Sequence, residues 1–322
     1  MQWLSIRDVG LLAKLPVSAA IATIVPPDRW EQLTDFLIRT YGRVSPAAVR
    51  DAAALLQGHL DPAQFVQPVD DVARSYLSNI RLDNLGTLRS HDPRGWPIRN
   101  RFEGFEHLQK AQVSAEGVLL WVAPFIFAGL VAKRALHEAG VALHQLSTST
   151  HGTSSRSRFG VGYLRNIRVG VENRYLKERV TIPLDGSLHG PLRRLTTLLK
   201  EGEVVSVTIG SMGNQPAKMP FLCGQIRIAT GVPSLALRTR AAILPVVTVR
   251  TAANSFTTFI EPPLATAGSG STPSRRYALV RELAARLEPF ALQWPDQVCW
   301  HHGLFGPGKP SQQGPAEADP SV

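Results

Sequence analysis

The chain has 322 residues, 44% of them apolar and 19% charged, a balance that excludes both a disordered chain and a polytopic membrane protein. Two cysteines exclude a disulfide scaffold and a Cys-rich zinc module. The net charge of +10 is local: residues 1–100 carry 11 basic and 10 acidic side chains, whereas residues 156–200 carry 10 basic and 3 acidic. Such a patch suits anionic lipid or a phosphorylated ligand, or is simply a solvated basic face. Nucleic acid is disfavoured as a partner, because no aromatic-rich RNA-binding signature or zinc-finger spacing accompanies the charge.

In chain order, residues 15–26 (LPVSAAIATIVP) form an apolar run shorter than the ~20 residues a membrane span needs. Asp8 precedes the run and no small-residue cleavage site follows it, so a secretory leader is not expected. Residues 28–56 read as helices, with Asp28 and Ser45 as N-caps and Pro46 at a first helical position. A further helix is expected over 69–89, and the Pro/Gly/Arg-rich stretch 90–101 marks a boundary. Beyond it the pattern becomes α/β. A helix and loop over 102–117 lead into a strand at 118–122, a helix at 125–139 and a strand at 141–146. A polar loop at 147–157, a basic helix at 190–201, a strand at 203–209 and a helix at 230–240 follow. Strands at 242–249 and 256–261 come next, Pro245 arguing for an edge position or a bulge. An amphipathic helix over 275–292 places Tyr277, Val280, Leu283, Ala284 and Leu287 on its buried face. The expected fold is a mixed, mostly parallel sheet flanked by helices. The expected organisation is a helical segment over 1–95, an α/β domain over 96–305 and a disordered tail over 306–322.

Four stretches then occur in a telling order: FEGFEHLQKAQVSAEGVLLWVAP (102–124), LLKEGEVVSVTI (198–209), MPFLCGQIRIATGVPSLALRTRAAILPVVTV (219–249) and WPDQVCWHHGLF (294–305). Over residues 100–305 the chain resembles the bacterial lipid A biosynthesis acyltransferases of the lauroyl/myristoyl type, within the lysophospholipid acyltransferase group. The resemblance implies acyl transfer from an acyl-carrier protein or acyl-CoA to a lipid-linked sugar hydroxyl at an anionic membrane surface. It implies a peripheral location on the cytoplasmic side of the inner membrane and no cofactor. It also implies a His five residues before an Asp or Glu after the first strand of the α/β part. There the imidazole would take the proton of a hydroxyl whose pKa lies far above 7, and the carboxylate would orient the ring. Here Ala123 and Ala128 occupy those positions, and none of the nine histidines has an acid five residues on. Two readings stay open: an acyltransferase with another base, or a catalytically inactive relative that binds lipid or a partner.

The candidates for the missing chemistry lie in the loop 151–182. His151, and less so His144, are candidates for the base. Glu172 and Arg174 form a candidate ordered pair. Arg156, Arg158, Arg165 and Arg168 are candidates to hold phosphates, since guanidinium groups suit bidentate contacts; the alternative is a solvated basic loop. Phe125 and Phe127 would wall or plug an acyl pocket, or belong to an ordinary core. Cys223 and Cys299 read as small buried apolar residues.

Overall fold

A computed structural model describes residues 2–44, 46–152, 157–211, 216–265, 271–300 and 303–306. Helix α1 (Ile6–Ile24) starts at a capping box: the Ser5 hydroxyl accepts from the Asp8 N–H, and the Asp8 carboxylate accepts from the Ser5 N–H. The apolar run at 15–26 is thus mostly the second half of a helix that the sequence reading left unassigned. Helix α2 (Trp30–Val44) begins after a short turn at 27–29 that takes the place of the expected Asp28 cap. In α3 (Ala47–Gln57), Pro46 is the N-cap and not the first helical residue, and the expected Ser45 cap lies outside the described residues. Helix α4 (Val69–Arg89) has the expected limits. It packs against α1, α2 and α3. Gly86 lets Trp96 lie directly on α4, since a Cβ there would come within 2.3 Å of the indole ring.

The α/β part follows as β1 (Arg99–Glu103), α5 (Phe105–Ser114), β2 (Val118–Val122), α6 (Val131–Glu138), β3 (Leu143–Thr148), α7 (Arg165–Glu172), β4 (Glu178–Ile182), α8 (His189–Lys200) and β5 (Val204–Thr208). Then come β6 (Ala217–Phe221), β7 (Gly224–Ile228), α9 (Gly231–Thr239), β8 (Ala242–Ala252), β9 (Ser255–Ile260), α10 (Thr272–Gln293) and β10 (Phe305–Gly306). Seven strands form one sheet in the order β1-β9-β8-β2-β5-β3-β4; β6, β7 and β10 form a small second sheet. Strands β8, β2, β5, β3 and β4 are mutually parallel, and β9, with β1 parallel to it, runs the other way. The α/β expectation holds, with a helical N-terminal segment ahead of a mostly parallel sheet. Right-handed crossovers put α6 and α7 on one face and the returning α8 and α9 on the other. Accordingly α7 packs on α4, and α8 packs on α9. The core runs along the buried strands: Val118, Leu119, Leu120 and Trp121 of β2 and Ile243, Leu244, Val246 and Val247 of β8 are all essentially without exposed surface.

Two expectations need correction. Pro245 lies at neither an edge nor a bulge, since β8 is central and its irregularity falls at Arg250/Ala252. The Pro245 carbonyl accepts from the Glu261 N–H, so the main-chain groups of residue 245 face the β9 side, where the ladder begins only at Val246. No donor to β2 is lost. Tyr277 is half exposed, not buried; its hydroxyl donates to the Lys218 carbonyl while Leu279, Val280, Leu283, Ala284 and Leu287 fill the face. The tail expected to be disordered lies outside the described residues from 307 onward. Among the described residues, no single helix is long and apolar enough to cross a membrane. Residues 8–24 and 27–40 pass that test only together, bent by 116°.

Candidate active site

Strand β3 ends at Thr148, and the chain turns at once: the His151 N–H donates to the Thr148 carbonyl. Gly152 has φ +83°, and a Cβ there would lie 3.1 Å from the Arg165 carbonyl, so the turn presses directly on α7. This contact brings His151 against Glu172, the last residue of α7, with Nε2 2.8 Å from Oε2. Glu172 has no exposed surface. Its Oε2 also accepts from Lys133 Nζ of α6 at 2.9 Å and from Arg179 Nη2 of β4 at 2.8 Å. Arg179 is fixed in turn by Asn173 Oδ1 at 2.6 Å and Ser147 Oγ at 3.2 Å. One turn before Glu172, Arg168 pairs with Asp83 of α4. Among the described residues, neither Glu172 Oε1 nor Asp83 Oδ1 has a hydrogen-bond partner.

These contacts set the charges. Burial pushes the Glu172 carboxyl up, but Lys133, His151 and Arg168 more than offset it and hold the group well below the ordinary carboxylate range. Burial lowers the pKa of His151; Lys133 and Arg179 act in the same direction, and Glu172 opposes them. His151 is therefore neutral at pH 7. With Nε2–H donating to the carboxylate, Nδ1 carries the lone pair. A neutral imidazole oriented by a carboxylate on its far nitrogen is a general acid–base unit. Burial also lowers the pKa of Lys133, against the pull of Glu172, and raises that of Asp83, against the pull of Arg168. Cys299, whose N–H donates to the Pro124 carbonyl, has its thiol pushed up to about 12 by burial and by Asp83. It is a protonated spectator at pH 7, not a nucleophile.

The cluster adjoins the turn after β2. A Cβ at Gly129 would lie 3.2 Å from Arg168 Nη1 and 3.5 Å from Glu172 Oε1. Ala128, the neighbour of Gly129, and Ala123, just past the end of β2, are both buried.

The candidate residues separate in space. His151 and Glu172 are brought together. Arg174 is not Glu172's partner: it is exposed, and its Nη1 donates to the Ser90 carbonyl. Arg168 is engaged with Asp83. Arg165 is half-buried, with an Nε that has no partner. Arg158 is exposed, and Arg156 lies outside the described residues. Phe127 has no exposed surface and packs edge-on against Phe256; Phe125 is buried and bridges to Val298. His144 sits near the opposite end of β3 between Glu178 and Glu203, 3.2 Å from each. Cys223 is exposed and not buried. Lys133, Arg179 and Asp83 went unnoticed in the sequence reading. Among the described residues, no group of three or more His, Cys, Asp or Glu side chains is placed to hold a metal ion.

The family model for bacterial lipid A biosynthesis acyltransferases matches residues 79–306. The chain belongs to that family. The match starts within α4, so it takes in Asp83 as well as every described residue of the cluster. No curated protein matches the chain.

Proposed function

We propose that this lipid A-type acyltransferase transfers an acyl group from an acyl-carrier or CoA thioester to a hydroxyl of a lipid-linked sugar, with His151 as general base and Glu172 as its orienting carboxylate. The observation that carries the proposal is the 2.8 Å contact between His151 and the fully buried Glu172. In the forward step the hydroxyl proton passes to Nδ1 and the oxygen attacks the thioester carbonyl. Collapse of the tetrahedral intermediate breaks the C–S bond, and the leaving sulfur takes the proton from the imidazolium. Arg158 and Arg165, not committed to a carboxylate as Arg168 is, are the arginines suited to donor or acceptor phosphates. The reaction would take place at the cytoplasmic side of the inner membrane. Helix α1 supports a peripheral position there: Ile6, Val9, Val17 and Ile24 are exposed, as are Trp3 and Lys14.

The test is incubation with a panel of acyl thioesters and lipid-linked sugar acceptors, with mass analysis of the acceptor. Wild-type protein should acylate an acceptor, and His151→Ala should lose about 10²–10⁴-fold. A second reading, a lipid-binding relative without turnover, is favoured by the closed packing at Ala123 and Phe127, neither of which has exposed surface. Co-purifying lipid with no acylation of any acceptor would select it.

A further inference from the structure

The Asp83–Arg168 pair lies beside the His151–Glu172 unit, yet the acid–base step does not use it. Asp83 comes from α4, in the helical segment, and Arg168 from α7, one turn before Glu172. The two are in direct contact, and both are largely buried. Arg168 Nη1 and Glu172 Oε1 converge on the same point, the space that a Cβ on Gly129 would take. Glu172 Oε1 nevertheless has no hydrogen-bond partner among the described residues. A guanidinium so close to an unpaired carboxylate oxygen would close on it unless another carboxylate held it, and Asp83 is that carboxylate. The closure would draw Glu172 away from the three donors on Oε2, one of which is His151.

We propose that Asp83 is a positioning residue, which holds Arg168 off Glu172 so that the carboxylate stays committed to His151. This rests on the reading of His151 as the base, but its test does not require turnover. The charged groups facing His151 are Glu172 of α7, Lys133 of α6 and Arg179 of β4; those facing Asp83 are Arg168, Glu172 and Lys133, with the protonated Cys299 beside them. Removing the Asp83 charge leaves the cations around His151 less well compensated. Imidazole protonation should then become harder.

The experiment is NMR titration of the His151 ring in the full chain, for wild type, Asp83→Asn, Asp83→Glu and the double variant D83N/R168M. Asp83→Asn should lower the His151 midpoint by about one pH unit, a roughly tenfold loss of proton affinity. Asp83→Glu should restore most of it. The double variant, which removes both charges, should titrate close to wild type. A merely structural role would lower the melting temperature and leave the titration of the folded protein unmoved; that result overturns the proposal. Should Asp83→Asn not fold, Asp83→Ser takes its place: a His151 midpoint lowered by about one pH unit supports the proposal, and an unmoved midpoint overturns it. Acylation assays on the same variants separate the two claims: an inactive wild type with the expected titrations would defeat the base assignment and leave the positioning role intact.

Discussion

Glu172 concentrates the chemistry and the stability of the site in one side chain. It has no exposed surface and collects three cationic or polar donors on one oxygen. Glu172→Ala would leave Lys133 and Arg179 as buried, uncompensated charges, and breaking a buried pair this way costs about 3–5 kcal/mol. Denaturant unfolding of the variant should show a loss of that size. The pH dependence has a definite sign. Both His151 and Glu172 have folded pKa values below their unfolded references of 6.5 and 4.5. The folded state therefore binds fewer protons, and stability falls on acidification: from His151 below pH 6.5, then from Glu172 below pH 4.5. Asp83 acts oppositely, because burial raises its pKa and its cost is relieved in acid. His151→Asn should therefore flatten the stability profile just below pH 6.5, as chemical unfolding at a series of pH values would show. His151 and Glu172 were legible in the sequence as a His and an acid in a polar segment. Their partners were not, because Lys133 and Arg179 reach Glu172 from helix and strand positions 39 and 7 residues away. Nothing in local spacing links Lys133 to that carboxylate.

At the scale of elements, α4 did carry an unread signal. Ser75, Asn79, Asp83 and Thr87 recur every four residues, a polar stripe at helical spacing. Ser75 and Asn79 hold Asp296, and Asp83 holds Arg168. A polar stripe on a helix that is otherwise well supplied with apolar residues marks a face turned toward partners as polar as itself. The two strands of the main sheet not legible in the sequence, β1 and β4, are its edges. Their sequences, RNRFE and ERVTI, are rich in charge and lack the continuous apolar run that makes β2 and β5 conspicuous. The turn at Gly152 is where sequence constrains the site most tightly. Gly152→Ala would impose φ +83° on a residue with a Cβ and set that Cβ 3.1 Å from the Arg165 carbonyl. The expected cost is about 1–3 kcal/mol, with a shift of the 149–152 turn that lowers acylation activity more than substrate binding. Thermal unfolding and a kcat-against-KM comparison would measure the two effects.

The whole molecule joins a helical segment to an α/β sheet through α4, which packs on both α7 and the turn at 295–297, and α1 reaches the α7 side. Ser157 donates to the buried Asp8 of α1 at 2.6 Å, the Arg158 and Phe159 N–H groups donate to the Gln2 and Trp3 carbonyls, and Trp3 stacks against Phe159. The start of α1 is thereby tied to the segment that leads into α7. Ile6 is 92% exposed and Trp3 63%, surface better suited to a lipid interface than to water. In flotation with vesicles containing anionic phospholipid, the wild-type chain should rise with the vesicles. The double variant I6S/V17S should bind them several-fold less well while keeping its unfolding profile. Fold class and the central runs β2–α6–β3 and β5–α9–β8–β9 were legible from periodicity and turn residues. The docking of α1 was not, because it depends on which face of that helix the remaining chain covers.

The central claim is that His151 is the base. It is tested most directly by the pH dependence of kcat/KM for acyl transfer, set beside the NMR titration of His151. Activity should rise along a limb whose midpoint matches that titration and lies below pH 6.5, and His151→Asn should abolish both the limb and the activity. Full turnover in His151→Asn, or a limb that stays in place when His151 is gone, would contradict the account.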